Sequence, residues 1–279
     1  MEKEKSKQLQ ITATKIRKHI VQQVHMAASG HPGGSLGIAD IMAVLYFEKM
    51  HVDPANPKKK DRDRFVMSKG HCSPALYGTL AQRGFFPTAE LDNFRKFGSF
   101  LQGHPESKHV PGVDASTGSL GQGISIACGM ALAAKTYQEK YQVYAMLGDG
   151  EVNEGQVWEA AMFAAHYKLD NLTAFLDFNG LQIDGPTEEV MSTSPLDEKF
   201  AAFGWNVIQI DAHNMEQIST AIDAANVYKG KPTVIIAKSI KGKGVSYMEN
   251  QVSWHGSAPN KEQYEQAMSE LDAALAALQ

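Results

Sequence analysis

The residues best suited to chemistry lie in GDGEVNEGQVWEAAMFAAHYKLDNLTAFLDFNGLQIDG, positions 148 to 185. The stretch opens on Gly148-Asp149-Gly150, directly after the apolar run Val143 to Leu147. It closes on Asn179 and Asp184-Gly185, after a second apolar run, Leu172 to Leu176. Short apolar runs bounded by polar turns read as buried strands, with a helix between them, so the unit is βαβ. Asp149 and Asn179 then stand just past the carboxyl ends of two neighbouring parallel strands, the edge at which open α/β sheets bind ligands. Both are hard oxygen donors of the kind Mg²⁺ or Ca²⁺ accepts, with diphosphate oxygens and water completing the shell. Gly150 admits close approach of backbone to a phosphate, and a helix starting there would present free N–H groups and a positive dipole end. The pattern suits a metal–diphosphate cradle. Asp-Gly and Asn-Gly are also ordinary turn formers, so spacing alone leaves turn and cradle both open.

Four of the ten histidines adjoin glycine at the edge of a regular element. They are His31 in Gly30-His31-Pro32-Gly33-Gly34, His71 in Ser68-Lys69-Gly70-His71, His104 in Gly103-His104-Pro105-Glu106, and His255 in Trp254-His255-Gly256. An imidazole can donate, accept or carry a proton near neutral pH, which suits a hydroxyl-rich substrate. Glycine beside it permits close ligand approach and equally marks a turn. His19, His25 and His166 lie in helical patterns and read as structural. His51, His109 and His213 sit in polar loops without an accompanying motif.

These residues need a scaffold, and the periodicity supplies one. Residues 8–29 predict a helix stopped by Gly30, followed by an amphipathic helix carrying Leu36, Ile41, Val44 and Leu45. A polar surface loop spans 51–64. Phe65 to Ser68 reads as a strand, Pro74 to Arg83 as a helix, and Thr88 to Phe97 as a weaker one. Gly98 to Gly118 is irregular, and Ile124 to Lys135 forms a small-residue helix. Further on come a strand from Trp205 to Ile210, a helix from Met215 to Tyr228, and a strand from Thr233 to Ala237. A final helix at about 261–278 places Tyr264, Met268, Leu271, Leu275 and Leu278 on one face. About five strands alternating with helices predict an α/β fold, a doubly wound, mostly parallel sheet with helices on both faces.

Bulk properties narrow the function. A chain of 279 residues, 43% hydrophobic, can bury a large core, and 1–279 is expected to form a single domain. A net charge of −4 leaves no basic footprint for nucleic acid. No apolar run approaches the ~20 residues that span a bilayer, and MEKEKSKQLQ lacks the apolar core of a secretory signal. Cys72 and Cys128 fit no metal or redox spacing and read as inert thiols in a reducing cytoplasm. No G-x-G-x-x-G follows the first strand, which argues against a dinucleotide module.

Gly148-Asp149-Gly150 followed by Asn179 resembles the thiamine diphosphate signature. The fuller stretch, with the four histidine motifs in order, resembles the transketolase family from about His19 to Pro259. The resemblance implies thiamine diphosphate held through a divalent metal (Mg²⁺, or Ca²⁺ or Mn²⁺) on Asp149, Asn179 and the main-chain carbonyl of Leu181. It implies that His31 contacts the sugar and that His71 reaches the diphosphate and the substrate. It likewise places His104 at the thiazolium end and the sugar hydroxyls, and His255 near the diphosphate and the reacting carbon. Gly150 belongs to the cradle. Gly118 to Gly123 would line the cofactor, with Leu120 and Ile183 against its rings and Glu154 among the cofactor-binding residues, and Glu154 and Glu159 match positions where glutamates link two cofactor sites at a subunit contact. Phe178, where a second acidic residue is usual, and Gly180 after the asparagine depart from the family pattern.

Full-length members add a pyrimidine-binding domain, which carries the glutamate facing the cofactor's aminopyrimidine and the arginines that grip sugar phosphates. No second α/β domain is evident here. Glu151, Glu154 and Glu159 are expected in the diphosphate helix, on the wrong side of the cofactor. The resemblance therefore implies the N-terminal subunit of a two-subunit transketolase. It would be active with a second copy of itself and with a C-terminal subunit, in an α₂β₂ heterotetramer. It would move a two-carbon ketol unit between sugar phosphates in the cytoplasm, in the pentose phosphate pathway. The alternatives are a subunit of deoxyxylulose-phosphate synthase and a non-catalytic assembly subunit. Retention of the metal ligands and all four histidines argues against the latter, because a scaffold needs none of them.

Overall fold

Strands β1 (Arg64–Met67), β2 (Val143–Gly148) and β3 (Leu172–Phe178) are apolar along most of their length because both faces of their sheet are covered. In the computed structural model, which describes residues 1–279, they lie parallel and side by side. Two short strands, β4 (Leu181–Gln182) and β5 (Gly185–Pro186), form an antiparallel hairpin beyond β3. Strands β6 (Asn206–Asp211) and β7 (Thr233–Lys238) complete the main sheet in the order β1-β2-β3-β7-β6, parallel throughout.

Ten helices surround it: α1 (Lys3–Met26), α2 (Pro32–Gly37), α3 (Ala39–Val44), α4 (Ser73–Arg83), α5 (Gln122–Thr136), α6 (Gly155–His166), α7 (Thr187–Met191), α8 (Leu196–Ala202), α9 (Met215–Val227) and α10 (Lys261–Ala277). Successive side chains of a strand point to opposite faces, and the cores record this. Phe65, Tyr144, Met146, Phe175 and Ile235 join α1, α3, α4 and α9 in one core. Their neighbours Val66, Ala145, Leu147, Leu176 and Val234 join α5 and α6 in the other. The doubly wound α/β arrangement expected from the sequence is therefore present. Helix α10 docks on the core through buried Ala267 and Leu271, with Tyr264 and Met268 packed beside them. Both cysteines are buried and unpaired, and burial pushes the Cys128 thiol up to about 12. No helix is long and apolar enough to cross a membrane.

Several local expectations fail for identifiable reasons. The amphipathic helix after Pro32 is instead two short helices and a π-helical turn at Leu45–Lys49, and residues 32–46 are buried all round. Glycines replace a polar face there: a Cβ on Gly33 would lie 2.8 Å from the Trp254 carbonyl, and one on Gly37 3.0 Å from that of Ile240. Residues 88–97 form only a 3₁₀ turn over Thr88–Asn93, because Arg95 adopts a left-handed backbone and its guanidinium turns back to Ser29. The helix expected directly after Gly150 starts at Gly155, behind a 3₁₀ turn at Glu151–Asn153.

Candidate functional site

Register builds the site. Gly148 of β2 lies opposite Asp177 of β3, so Asp149 and Asn179 leave the sheet at one edge. Asp149 is only 2% exposed. Its Oδ1 accepts from the Gly150 amide at 2.8 Å and its Oδ2 from the Gly180 amide at 2.6 Å. Burial and the nearby carboxylate of Asp177 push the Asp149 carboxyl up to about 6. Asn179 donates from Nδ2 to Asp177 Oδ2 at 2.9 Å and accepts the Leu181 amide on Oδ1 at 3.1 Å. The Leu181 carbonyl accepts from the Lys241 ammonium at 3.0 Å, and that ammonium also meets His255 Nδ1 at 2.9 Å. Asp149, Gly150, Asn179 and Leu181 line one cavity of about 370 Å³, with Gly118, Leu120 and Ile183 also in its wall.

Three of the four glycine-flanked histidines converge on this cavity. The rings of His31 and His71 are 5.2 Å apart, those of His31 and His255 5.6 Å, and those of His71 and His255 5.2 Å. Burial pulls all three down, helped by mutual repulsion and the nearby lysine charges: His31 and His71 to about 4, His255 to about 3. They are therefore neutral near pH 7, each ring offering one donor and one acceptor.

Two residues expected at the cofactor do not line the cavity. His104 is exposed and rests its ring against Gly118, where a Cβ would come within 3.2 Å, while its carbonyl accepts from the Tyr77 hydroxyl. Glu154 is exposed too and packs its side chain against Gly121. Each fills the space left by a glycine of the 118–121 loop. Gly150, in the cavity wall, has a second use. Its φ of −71° demands no glycine, but an added Cβ would lie 2.9 Å from Gln182 Oε1, so the residue makes room for the hairpin.

Other site residues are given no role by the sequence. Glu151, expected on a helix away from the cofactor, lies in the 3₁₀ turn, buried, in the cavity wall. Its carboxylate accepts from the Ser68 hydroxyl at 2.5 Å, the Gly121 amide at 2.9 Å and the Gly148 amide at 3.0 Å, tying together the ends of β1 and β2 and the 118–121 loop. Lys69 and Asp177 form a buried ion pair in the same wall. His213, in sequence a plain loop residue, places Nδ1 at 2.7 Å from Asp40, which also binds Arg17, and its Nε2 accepts from the Ile240 amide at 2.9 Å. That chain of contacts pins the segment carrying Lys241. Lys69, inside Ser68-Lys69-Gly70-His71, and Asp177, two residues before Asn179, stand where local motifs point.

The donors suit a hard cation. Asp149, the Asn179 carbonyl and the Leu181 carbonyl are all oxygens, each with a lone pair beyond its present hydrogen bond. No group of three or more His, Cys, Asp or Glu side chains gathers to hold a metal alone. A cation here would draw the rest of its shell from a ligand, which fits a diphosphate.

Comparison with known proteins settles the family. Residues 8–274 match the family described as "Transketolase, thiamine diphosphate binding domain". The chain belongs to the transketolase family. It is 46% identical over 263 residues to an apulose-4-phosphate transketolase subunit from Phocaeicola vulgatus, covering 94% of this chain and 93% of that one. It is 45% identical to the 6-deoxy-6-sulfo-D-fructose transketolase subunit SqwG of a Clostridium species, covering 95% and 96%. Human transketolase is 43% identical, but the match covers 97% of this chain and 43% of the human one. The Campylobacter jejuni transketolase structure superposes with a TM-score of 0.88 at 32% identity, over 98% of this chain and 46% of that. This member thus spans nearly the length of the family's separate subunits and under half that of its single-chain transketolases.

Proposed function

We propose that this chain is the diphosphate-binding, N-terminal subunit of a two-subunit transketolase, forming one domain over residues 1–279. The observation that carries the reading is the meeting of Asp149, Asn179 and the Leu181 carbonyl with three neutral imidazoles around one cavity. Asp149, Asn179 and Leu181 would hold Mg²⁺, or Ca²⁺ or Mn²⁺, and through it the diphosphate of thiamine diphosphate. Thiamine diphosphate, when bound, supplies the carbon nucleophile for breaking and remaking a bond beside a ketose carbonyl.

The chain's own residues bind and orient. Lys241 and His71 would meet the diphosphate end, and Leu120 and Ile183 offer apolar surface for its rings. His31 carries a buried Nδ1 with no partner, a free hydrogen-bonding position facing a hydroxyl-rich substrate. His255 has its Nδ1 engaged by Lys241, so its Nε2 is the ring atom left to exchange a proton with substrate. His104, on its exposed loop, would reach the sugar from the cavity mouth.

The missing half of the site is assigned to a C-terminal subunit carrying the pyrimidine-binding domain and the arginines for sugar phosphate. Ile126, Met162, Phe163 and Tyr167 leave an apolar surface on α5 and α6 and at the end of α6, and Glu159 is exposed on α6 beside Phe163. This face, with Glu154, is assigned to a second copy, giving a heterotetramer. Ketol transfer between sugar phosphates places the enzyme in pentose phosphate metabolism in the cytoplasm.

The test is reconstitution. The chain alone should show no ketol transfer, and adding the pyrimidine-domain subunit from the same genome should restore it with thiamine diphosphate and Mg²⁺. Robust transfer by the lone chain would refute the split assignment.

A further inference from the structure

The Lys69–Asp177 pair has a consequence for how the cation is held. Lys69 and Asp177 are each 1% exposed. Lys69 Nζ donates to Asp177 Oδ2 at 2.6 Å and to the Gly34 carbonyl at 3.2 Å. The other oxygen of Asp177 takes the Ser239 hydroxyl, and Oδ2 also takes the Asn179 amide. Asp177 is no distant group: the Asp149 amide donates to its main-chain carbonyl at 3.2 Å, and both carboxylates line the same cavity. Two free carboxylates side by side would grip a divalent cation without further help. Here one of them has both oxygens occupied and its charge neutralised.

We propose that Lys69 withholds Asp177 from the cation, so that the site binds a divalent ion firmly only together with a diphosphate. This deepens the proposed cofactor role of the cavity and rests on it. Charge decides the outcome. With Lys69 in place, Asp149 is the one uncompensated anion among the proposed ligands, and a divalent ion bound to it keeps a net positive charge that attracts diphosphate. With two free carboxylates the ion would be neutralised, and that attraction would largely vanish. The same arrangement orients Asn179. Asp177 takes its N–H, which leaves the carbonyl oxygen for the metal.

The experiment is calorimetry of the chain joined to its C-terminal subunit, with Mn²⁺ alone and then with thiamine diphosphate at saturating Mn²⁺. Lys69→Gln should bind Mn²⁺ alone at least tenfold more tightly than the wild type and the cofactor at least tenfold more weakly. A lysine that merely supports the fold would weaken both or leave both unchanged, and either result overturns the proposal. The double variant Lys69→Gln/Asp177→Asn leaves no buried charge unpaired and carries the test if the single variant does not fold. It should bind Mn²⁺ alone as weakly as the wild type, and tight binding would overturn the proposal. A wild-type chain joined to its C-terminal subunit that takes up no thiamine diphosphate at saturating Mn²⁺ would instead sink the cofactor reading, a separate result from the metal-alone comparison.

Discussion

Replacing Asp149 by asparagine separates stability from binding more cleanly than truncation does. The side chain keeps its shape and loses its charge. In the fold this carboxyl titrates at about 6 instead of the ordinary 3.8, so its ionised form costs the folded state about 3 kcal/mol at pH 7.5. Because the folded value is the higher, that stability is present at low pH and lost as pH rises through about 6. Asparagine escapes the loss. Against this, the new amide turns an N–H₂ toward either the Gly180 or the Gly150 amide, each now a donor to a carboxylate oxygen. Losing a charge-assisted hydrogen bond of that kind costs about 1.5–3 kcal/mol. The two effects largely offset, so the apo chain should be unchanged or up to about 1.5 kcal/mol more stable, with its Tm within roughly 5 °C of the wild type. Cofactor binding has no such compensation, since the cation loses the only free anion among its ligands. Affinity for thiamine diphosphate at saturating Mg²⁺ should fall at least 100-fold, or about 2.7 kcal/mol. Circular dichroism melting of the chain, and calorimetry of the same preparation joined to its C-terminal subunit, measure both. Retained affinity refutes the metal role, and a loss of stability beyond about 1 kcal/mol refutes the offset.

Two further outcomes test the surroundings. Glu151→Gln leaves one of the Ser68, Gly121 and Gly148 donors facing an amide N–H₂, at a cost of about 1.5–3 kcal/mol. Relief of the buried carboxylate, which burial pushes up, returns only part of that, so the chain should lose about 1–2 kcal/mol, read as a Tm lower by roughly 3–6 °C in thermal melts. An unchanged melt would show that the carboxylate does not hold those three segments together. Acid should destabilise the apo chain. His31, His71 and His255 titrate at about 4, 4 and 3 in the fold against an ordinary 6.5, so the unfolded chain binds more protons below 6.5. Stability therefore falls as pH drops from about 6.5 towards 4, with Asp149 offsetting part of the loss below about 6. Urea midpoints from pH 7.5 to 4.5 should decline, and more shallowly in a variant with the three histidines replaced by asparagine. A flat or rising wild-type series contradicts the buried neutral imidazoles.

What the sequence determined by itself is local. The strands show as apolar runs because a sheet covered on both faces buries both alternating sets of side chains. Asp149 and Asn179 stand just past strands β2 and β3, so their shared edge follows once those strands are neighbours. The glycines beside His31, His71 and His255 marked loops able to approach a ligand. Only the tertiary structure decided which charges are buried. Lys69 and Asp177 are 108 residues apart and meet through the parallel alignment of β1, β2 and β3. Lys241 reaches Leu181 across 60 residues, and Glu151 gathers donors from three separate segments. No periodicity distinguishes such a lysine or glutamate from those on the surface, because its burial is compensated by a partner that the chain brings close only on folding. For the same reason Glu154 and His104, named by motif, came to rest against loop glycines outside the cavity wall.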